Sequence, residues 1–96
     1  MTHVFVGVCS FDLVLAENHS LKGKRRVLRT VKDRVRNTFN VSIAEVDSLD
    51  AWQRCTLALS CVGRDRPHVE KQLSNAVEFI DRMHLAEIEN VHIEIV

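Results

Sequence analysis

The residues best suited to chemistry in this sequence are cations concentrated in one segment. Between residues 22 and 36 there are eight Lys or Arg residues and a single acid, Asp33, which gives a local net charge of +7. Cations at this density hold phosphate groups by charge, without reading a base sequence. The candidate nucleic-acid-binding residues of the segment are Lys22, Lys24, Arg25, Arg26, Arg29, Lys32 and Arg36.

The alternative for this segment is a solvated helix face whose arginine stems cover apolar surface. Solvated faces usually mix both signs of charge, with acids spaced to pair with the bases. Only Asp33 is available for that here, which strengthens the hypothesis of a polyanion-binding surface and leaves the solvated face open as the alternative.

Trp52, the single tryptophan, extends the candidate site because it lies next to Gln53 and Arg54. An exposed Trp beside an Arg can stack an unpaired base, so we include Trp52 and Arg54 among the nucleic-acid-binding candidates. A lone Trp can also fold down to close one end of the core. The sequence leaves both roles open.

An acidic group, formed by Glu45, Asp47 and Asp50, follows the basic segment. Three carboxylates can hold Mg²⁺, or they can pair with the arginines. Glu45 and Asp47 share one face of an alternating strand pattern, which predicts that they converge. No histidine stands at ligand spacing nearby, so we expect ion pairs here, with no metal and no cofactor.

The sequence does not predict an enzyme. The three cysteines, Cys9, Cys55 and Cys61, lie in alternating apolar segments where thiols are buried and inert. The chain has no Gly-rich phosphate loop, and its histidines are scattered. We predict a cytoplasmic protein for three reasons. The thiols are expected to be reduced, the N-terminal residues do not show the basic region of a secretory signal, and no apolar run is long enough to span a membrane.

Hydropathy patterns predict six elements that position these residues. The basic segment lies in an amphipathic helix from Ser20 to Phe39, with Ser20 as its N-cap. The remaining predicted elements are strands at 3–15, 41–47, 53–62 and 86–96 and a second helix from Pro67 to His84. The order βαββαβ predicts one ferredoxin-like α+β domain over residues 1–96, with a four-stranded antiparallel sheet in the order 4-1-3-2 and both helices on one face.

Charge is distributed unevenly over this domain although the total is zero. Residues 1–36 carry a net charge of +5 and residues 37–96 carry −5.

The sheet face without helices is predicted to hold Val6, Val8, Asp12, Arg54, Thr56, Val62, His92 and Glu94. Half-apolar faces of this kind either stay wet or pair with another subunit, so a homodimer through the open face is a further expectation.

Three stretches together resemble a known family. Residues 20–28 (SLKGKRRVL), 40–47 (NVSIAEVD) and 50–54 (DAWQR) resemble signature segments of the YlxP-like family of small bacterial proteins, domain of unknown function 503. The resemblance implies a ferredoxin-like fold and no established reaction. Genes of that family often lie among translation and ribosome-maturation genes, which implies a link to RNA by association. One departure is Gly23, where the family usually has a helix-favouring residue, and it predicts a less firm first helical turn.

The leading hypothesis is therefore a small cytosolic, non-catalytic RNA- or ribosome-associated binding protein that uses its basic helix. The alternative is a protein-interaction module, which binds an acidic protein partner through the same helix or dimerises through the open sheet face.

Overall fold

The periodic segments of the sequence form all six expected elements in the computed structural model, which describes residues 2–96. The elements are β1 (Phe5–Val14), α1 (Leu21–Thr38), β2 (Ser42–Asp47), β3 (Arg54–Gly63), α2 (Arg66–Asp81) and β4 (Glu87–Ile95). The strands form one antiparallel sheet in the order β2-β3-β1-β4, which is the predicted order read in reverse. The ferredoxin-like βαββαβ fold is confirmed.

The core lies between one sheet face and the two helices. Alternate residues of β1 and β3 point into it, as a period of two requires. The side chains buried in this layer from both strands are Cys9, Phe11, Leu13, Cys55, Leu57, Leu59 and Cys61. The helices contribute Leu28, Val31 and Val35 of α1 and Val69, Leu73, Ala76 and Ile80 of α2, and Leu15 and Ile43 are buried with them.

Two glycines let α2 approach the sheet closely. A Cβ atom at Gly7 would collide with Val69 and lie 2.7 Å from Leu73 Cδ1, and one at Gly63 would lie 2.8 Å from Val69 Cγ2. Val69 therefore packs directly on the main chain of β1 and β3. This contact fixes α2 over the centre of the sheet.

The open face of the sheet is graded from apolar to charged along the strands. At one end, Val6 of β1 is paired with Val62 of β3 and exchanges two main-chain hydrogen bonds with Val96, the residue after β4. The three valines form one row across the sheet. The middle of the face carries small side chains, with Ser10 opposite Ala58.

The charged end of the open face is held together by Asp12. Its Oδ1 accepts a 2.7 Å hydrogen bond from Thr56 Oγ1, and its Oδ2 accepts a 2.8 Å bond from Asn90 Nδ2. Asn90 has a φ of 56° and lies in the part of β4 where the register with β1 shifts. The hydrogen bonds from Thr56 and Asn90 lower the pKa of the Asp12 carboxyl. The network ties three strands together where the ladder is irregular.

Candidate nucleic-acid interface

Helix α1 begins sharply and lies with its apolar side on the sheet. The Ser20 hydroxyl accepts a 3.0 Å hydrogen bond from the Gly23 amide, as an N-cap should. The helix starts at Leu21, so the first turn is regular despite Gly23. A Cβ atom at position 23 would collide with Asn18 Oδ1. Glycine at this position therefore makes room for the preceding loop to close onto the helix.

The opposite side of α1 carries an exposed row of bases. We name Lys22, Arg25, Arg26, Arg29 and Arg36 the basic stripe. All five are exposed, and within residues 2–96 none of them takes part in an ion pair. Five unneutralised cations on one helix face form a strong anion-attracting surface.

Two other predicted bases of α1 lie elsewhere. Lys32 is half-buried at the border of the basic stripe. Lys24 is only 2% exposed, and its Nζ donates hydrogen bonds to the main-chain oxygens of Ser48 at 2.7 Å, Leu49 at 3.3 Å and Ala51 at 2.7 Å. The prediction that Lys24 contacts a phosphate is corrected, because its ammonium is buried and its three N–H bonds are used within the protein.

The acidic group separates in the structure. Glu45 Oε2 lies 3.1 Å from Lys24 Nζ, which confirms the expected pairing with the helix for this carboxylate. The ammonium thus lies among one carboxylate and three main-chain oxygens. A bulge between Glu45 and Asp47 pairs Asp47 with Thr56 of the open face. The predicted convergence of the two acids is therefore wrong, since the extra residue turns them to different faces.

Trp52 lies in the loop between β2 and β3, and its side chain is 54% exposed. It does not close the core. Asn18 Nδ2 donates to the main-chain oxygen of Trp52 at 2.5 Å and to that of Ser20, the cap of α1, at 2.7 Å. The main chain at Trp52 is thus held near the N-cap of α1.

Arg54 is placed away from the basic stripe. It is the first residue of β3, and its side chain lies on the open sheet face with Thr56, on the opposite side of the sheet from α1. Its guanidinium pairs with Glu89 at 3.2 Å and Asp12 at 3.5 Å. The prediction that Arg54 assists Trp52 is corrected, because Arg54 is both neutralised and on another surface.

Three residues that position the site were not identified from the sequence. Asn18 joins the two loops, Gln53 Nε2 donates to the main-chain oxygen of Asn18 at 3.0 Å, and Ser48 adopts a φ of 60° at the start of the β2–β3 loop. The only local signal is the preference of Asn and Ser for turns that bond side chain to main chain. Contacts between loops separated by more than thirty residues leave no such signal.

The remaining candidate chemistry is internal. Cys9, Cys55 and Cys61 are buried and free, as predicted. Burial raises the pKa of the Cys9 and Cys55 thiols to about 11, so both stay protonated near neutral pH.

A cleft of about 820 Å³ lies beside the basic stripe, between the first turn of α1 and the start of β4. Arg26 and His84 line it together with three acids, Glu17, Asp81 and Glu87. Because three acids share this lining with Arg26 and His84, the cleft itself does not extend the anion-attracting surface.

No helix within residues 2–96 is both long and apolar enough to cross a membrane.

Comparison with known proteins gives a family and a fold. A family model described as "Protein of unknown function (DUF503)" matches residues 6–93. The chain is 38% identical over 76 residues to "Uncharacterized protein YlxP" of Bacillus subtilis (strain 168), covering 79% of this chain and 83% of that protein.

Two solved structures resemble the chain. A de novo designed protein, Foldit4, has a TM-score of 0.53, with 98% of this chain and 97% of that chain covered. A C-terminal segment of the alpha subunit of aIF2 from Pyrococcus abyssi has a TM-score of 0.54, with 91% of this chain and 50% of that chain covered. Both are 14% identical to this chain, so the likeness concerns the fold alone.

Proposed function

The chain belongs to the DUF503 family of unknown function, and we propose that it is a non-catalytic RNA-binding protein that holds the phosphate backbone with the basic stripe of α1. The observation that carries this proposal is the exposure of five bases on one helix face, none of which forms an ion pair with a carboxylate of residues 2–96.

The position of these bases argues against a purely structural role. Lys22, Arg25 and Arg26 lie in the first two turns of α1, where the helix dipole favours negative charge. No acid lies in the first turn to offset them. The arrangement costs helix stability, so a bound anion is the simplest reason for it.

The dimensions of the basic stripe suit an extended polyanion. Fourteen residues separate Lys22 from Arg36, which is roughly 21 Å along a helix. Four of the five bases lie within about two turns, and Arg36 follows about two turns later, so several phosphates of one strand can be contacted together. RNA is the polyanion that we propose, and DNA of the same sequence is the comparison.

The test is charge reversal with a matched control. The double variant Arg25→Glu, Arg29→Glu should weaken binding of a labelled RNA about tenfold or more in an anisotropy titration, with an unchanged circular dichroism spectrum. The control Arg64→Glu, Lys71→Glu changes the net charge equally at exposed positions outside the stripe and should bind nearly as wild type does. Equal losses in both variants would reject the stripe as the binding surface, and tighter binding of DNA would reassign the ligand.

A second candidate, a protein-interaction module, is favoured by the open sheet face. Val62 and Val96 are 65% and 73% exposed and flank Val6 in one row. The chain exposes 6275 Å² in total, whereas about 5,600 Å² is typical of a monomer of this mass. A homodimer through the open face would cover the valine row, and an acidic protein partner on the basic stripe is the other form of this candidate.

A further inference from the structure

The loop between β2 and β3 is held by an unusual device, a buried lysine. The three carbonyls that accept hydrogen bonds from Lys24 belong to Ser48, Leu49 and Ala51, so one ammonium fixes nearly the whole loop. Removing an ammonium from water is costly unless it is fully hydrogen-bonded and paired. The chain meets this requirement with three carbonyls and Glu45, and what it gains is a defined main-chain path for the loop.

The fixed loop presents its large apolar side chains to solvent. Leu49 is 59% exposed and Trp52 is 54% exposed. Contiguous exposed apolar surface marks binding sites, and both of these side chains belong to the same loop. Holding them on a pinned loop removes much of the entropy that ordering would cost when a ligand binds.

The loop also lies at one end of the basic stripe. Asn18 bridges the main-chain oxygens of Trp52 and of Ser20, the cap of α1. Lys24, which holds the loop, precedes Arg25 and Arg26 of the stripe directly in the helix. The main chain that carries Trp52 is therefore tied to the end of α1 where the basic stripe begins.

We propose that Trp52 stacks on an unpaired base of the RNA whose phosphates occupy the basic stripe, so that the ligand is single-stranded rather than duplex RNA. This inference rests on the proposed function. A tryptophan ring accepts any base that is free of its partner, whereas the bases of a duplex are already stacked on each other. Phosphate contacts alone would not distinguish the two forms.

Lys24 is a positioning residue in this account. It touches no RNA, and it acts by holding the main chain that carries Trp52.

The experiment uses a labelled single-stranded oligoadenylate RNA and the same RNA annealed to its complement. Trp52→Ala should weaken single-strand binding about tenfold and leave duplex binding within about twofold. Trp52→Phe should retain most of the single-strand affinity, because a smaller ring still stacks. Since Trp52 is the only tryptophan, the single strand should also quench wild-type fluorescence, and the duplex should not.

The outcomes separate this inference from the proposed function. Single-strand binding that is sensitive to Arg25→Glu, Arg29→Glu but unaffected by Trp52→Ala would overturn the stacking role and keep the stripe. Failure of the wild type to bind either RNA would overturn both.

A further variant tests the positioning role. Lys24→Met should lower single-strand affinity as Trp52→Ala does, and the combined variant should be no weaker than either alone. Additive losses in the combined variant would show that Lys24 does not act through Trp52. If Lys24→Met fails to fold, the two Trp52 variants decide the stacking role by themselves.

Discussion

The ammonium of Lys24 donates a 2.7 Å hydrogen bond to the main-chain oxygen of Ala51, and this contact joins the basic helix to the only tryptophan-bearing loop. The neighbouring Arg25 and Arg26 face solvent, so the same helical turn supplies both a structural cation and free cations. The two roles follow from position around the helix. They can be separated by mutation.

The first prediction concerns the stability that Lys24 provides. Lys24→Met removes three hydrogen bonds and leaves the Glu45 carboxylate, 18% exposed, without its counter-ion. We expect the free energy of unfolding to fall by about 3 kcal/mol, because removing one partner of a buried pair leaves an uncompensated charge. Urea denaturation measures this loss.

The control for that prediction is the double variant Lys24→Met, Glu45→Gln. It should recover part of the loss, since the unpaired charge is gone. A Lys24→Met variant within about 0.5 kcal/mol of wild type would show that the buried network is not stabilising.

The second prediction concerns Gly23. Replacing an interior helical glycine by alanine usually stabilises a helix by about 1 kcal/mol. Here a Cβ atom would collide with Asn18 Oδ1, so Gly23→Ala should give no gain in the wild-type background. In an Asn18→Ala background the same change should give a larger effect, although a Cβ atom would still lie 3.2 Å from Ser20 Oγ, and urea midpoints will measure the difference. An equal effect in both backgrounds would contradict the role assigned to Gly23.

The third prediction concerns acid stability and Asp12. Hydrogen bonds from Thr56 and Asn90 lower the pKa of Asp12 in the folded state, so the ionised form is stabilised by folding. That stability is present above the unfolded pKa, about 3.9, and is lost as pH falls through the lower folded value. Asp12→Asn should therefore be less stable than wild type at pH 7, with the difference shrinking below pH 4. A difference in stability that is constant with pH would show that the charge of Asp12 does not contribute to the stability of the folded state.

The fourth prediction separates the two candidate functions. If the open face forms a homodimer, light scattering should give twice the 11.0 kDa chain mass at low and high salt alike, because apolar contacts are not screened. Val6→Lys with Val62→Lys should then yield a monomer. A dimer that dissociates with salt would instead indicate that the basic stripe docks on acids of a second copy. A monomer at every salt concentration would reject the homodimer through the open face.

The sequence predicted the fold well because its signals are local and agree with one another. Ser20 and Asp65 accept hydrogen bonds at the starts of the helices, and strict alternation in β1 and β3 sets their faces. Lys24 was predicted to lie among the exposed bases, although its position in the helix indicates burial. It lies four residues before Leu28 and seven before Val31, on the buried side of the wheel, and counting charge over the segment hid that position.

The other corrections depend on contacts that no local pattern contains. The bulge that separates Glu45 from Asp47 has no glycine to mark it. Arg54 falls on the open face by simple alternation, but its neutralisation requires Asp12 and Glu89 from two other strands. The exposure of Trp52 depends on the Lys24 and Asn18 contacts to its loop.

The salt dependence of RNA binding tests the central claim most directly. For a single strand, log K should fall linearly with log salt concentration, with a slope of about −0.7 for each phosphate contacted. If all five bases of the stripe engage, we expect a slope near −3.5, and Arg29→Gln should flatten it by about 0.7. A slope near zero, or an unchanged slope in Arg29→Gln, would contradict phosphate binding by the basic stripe.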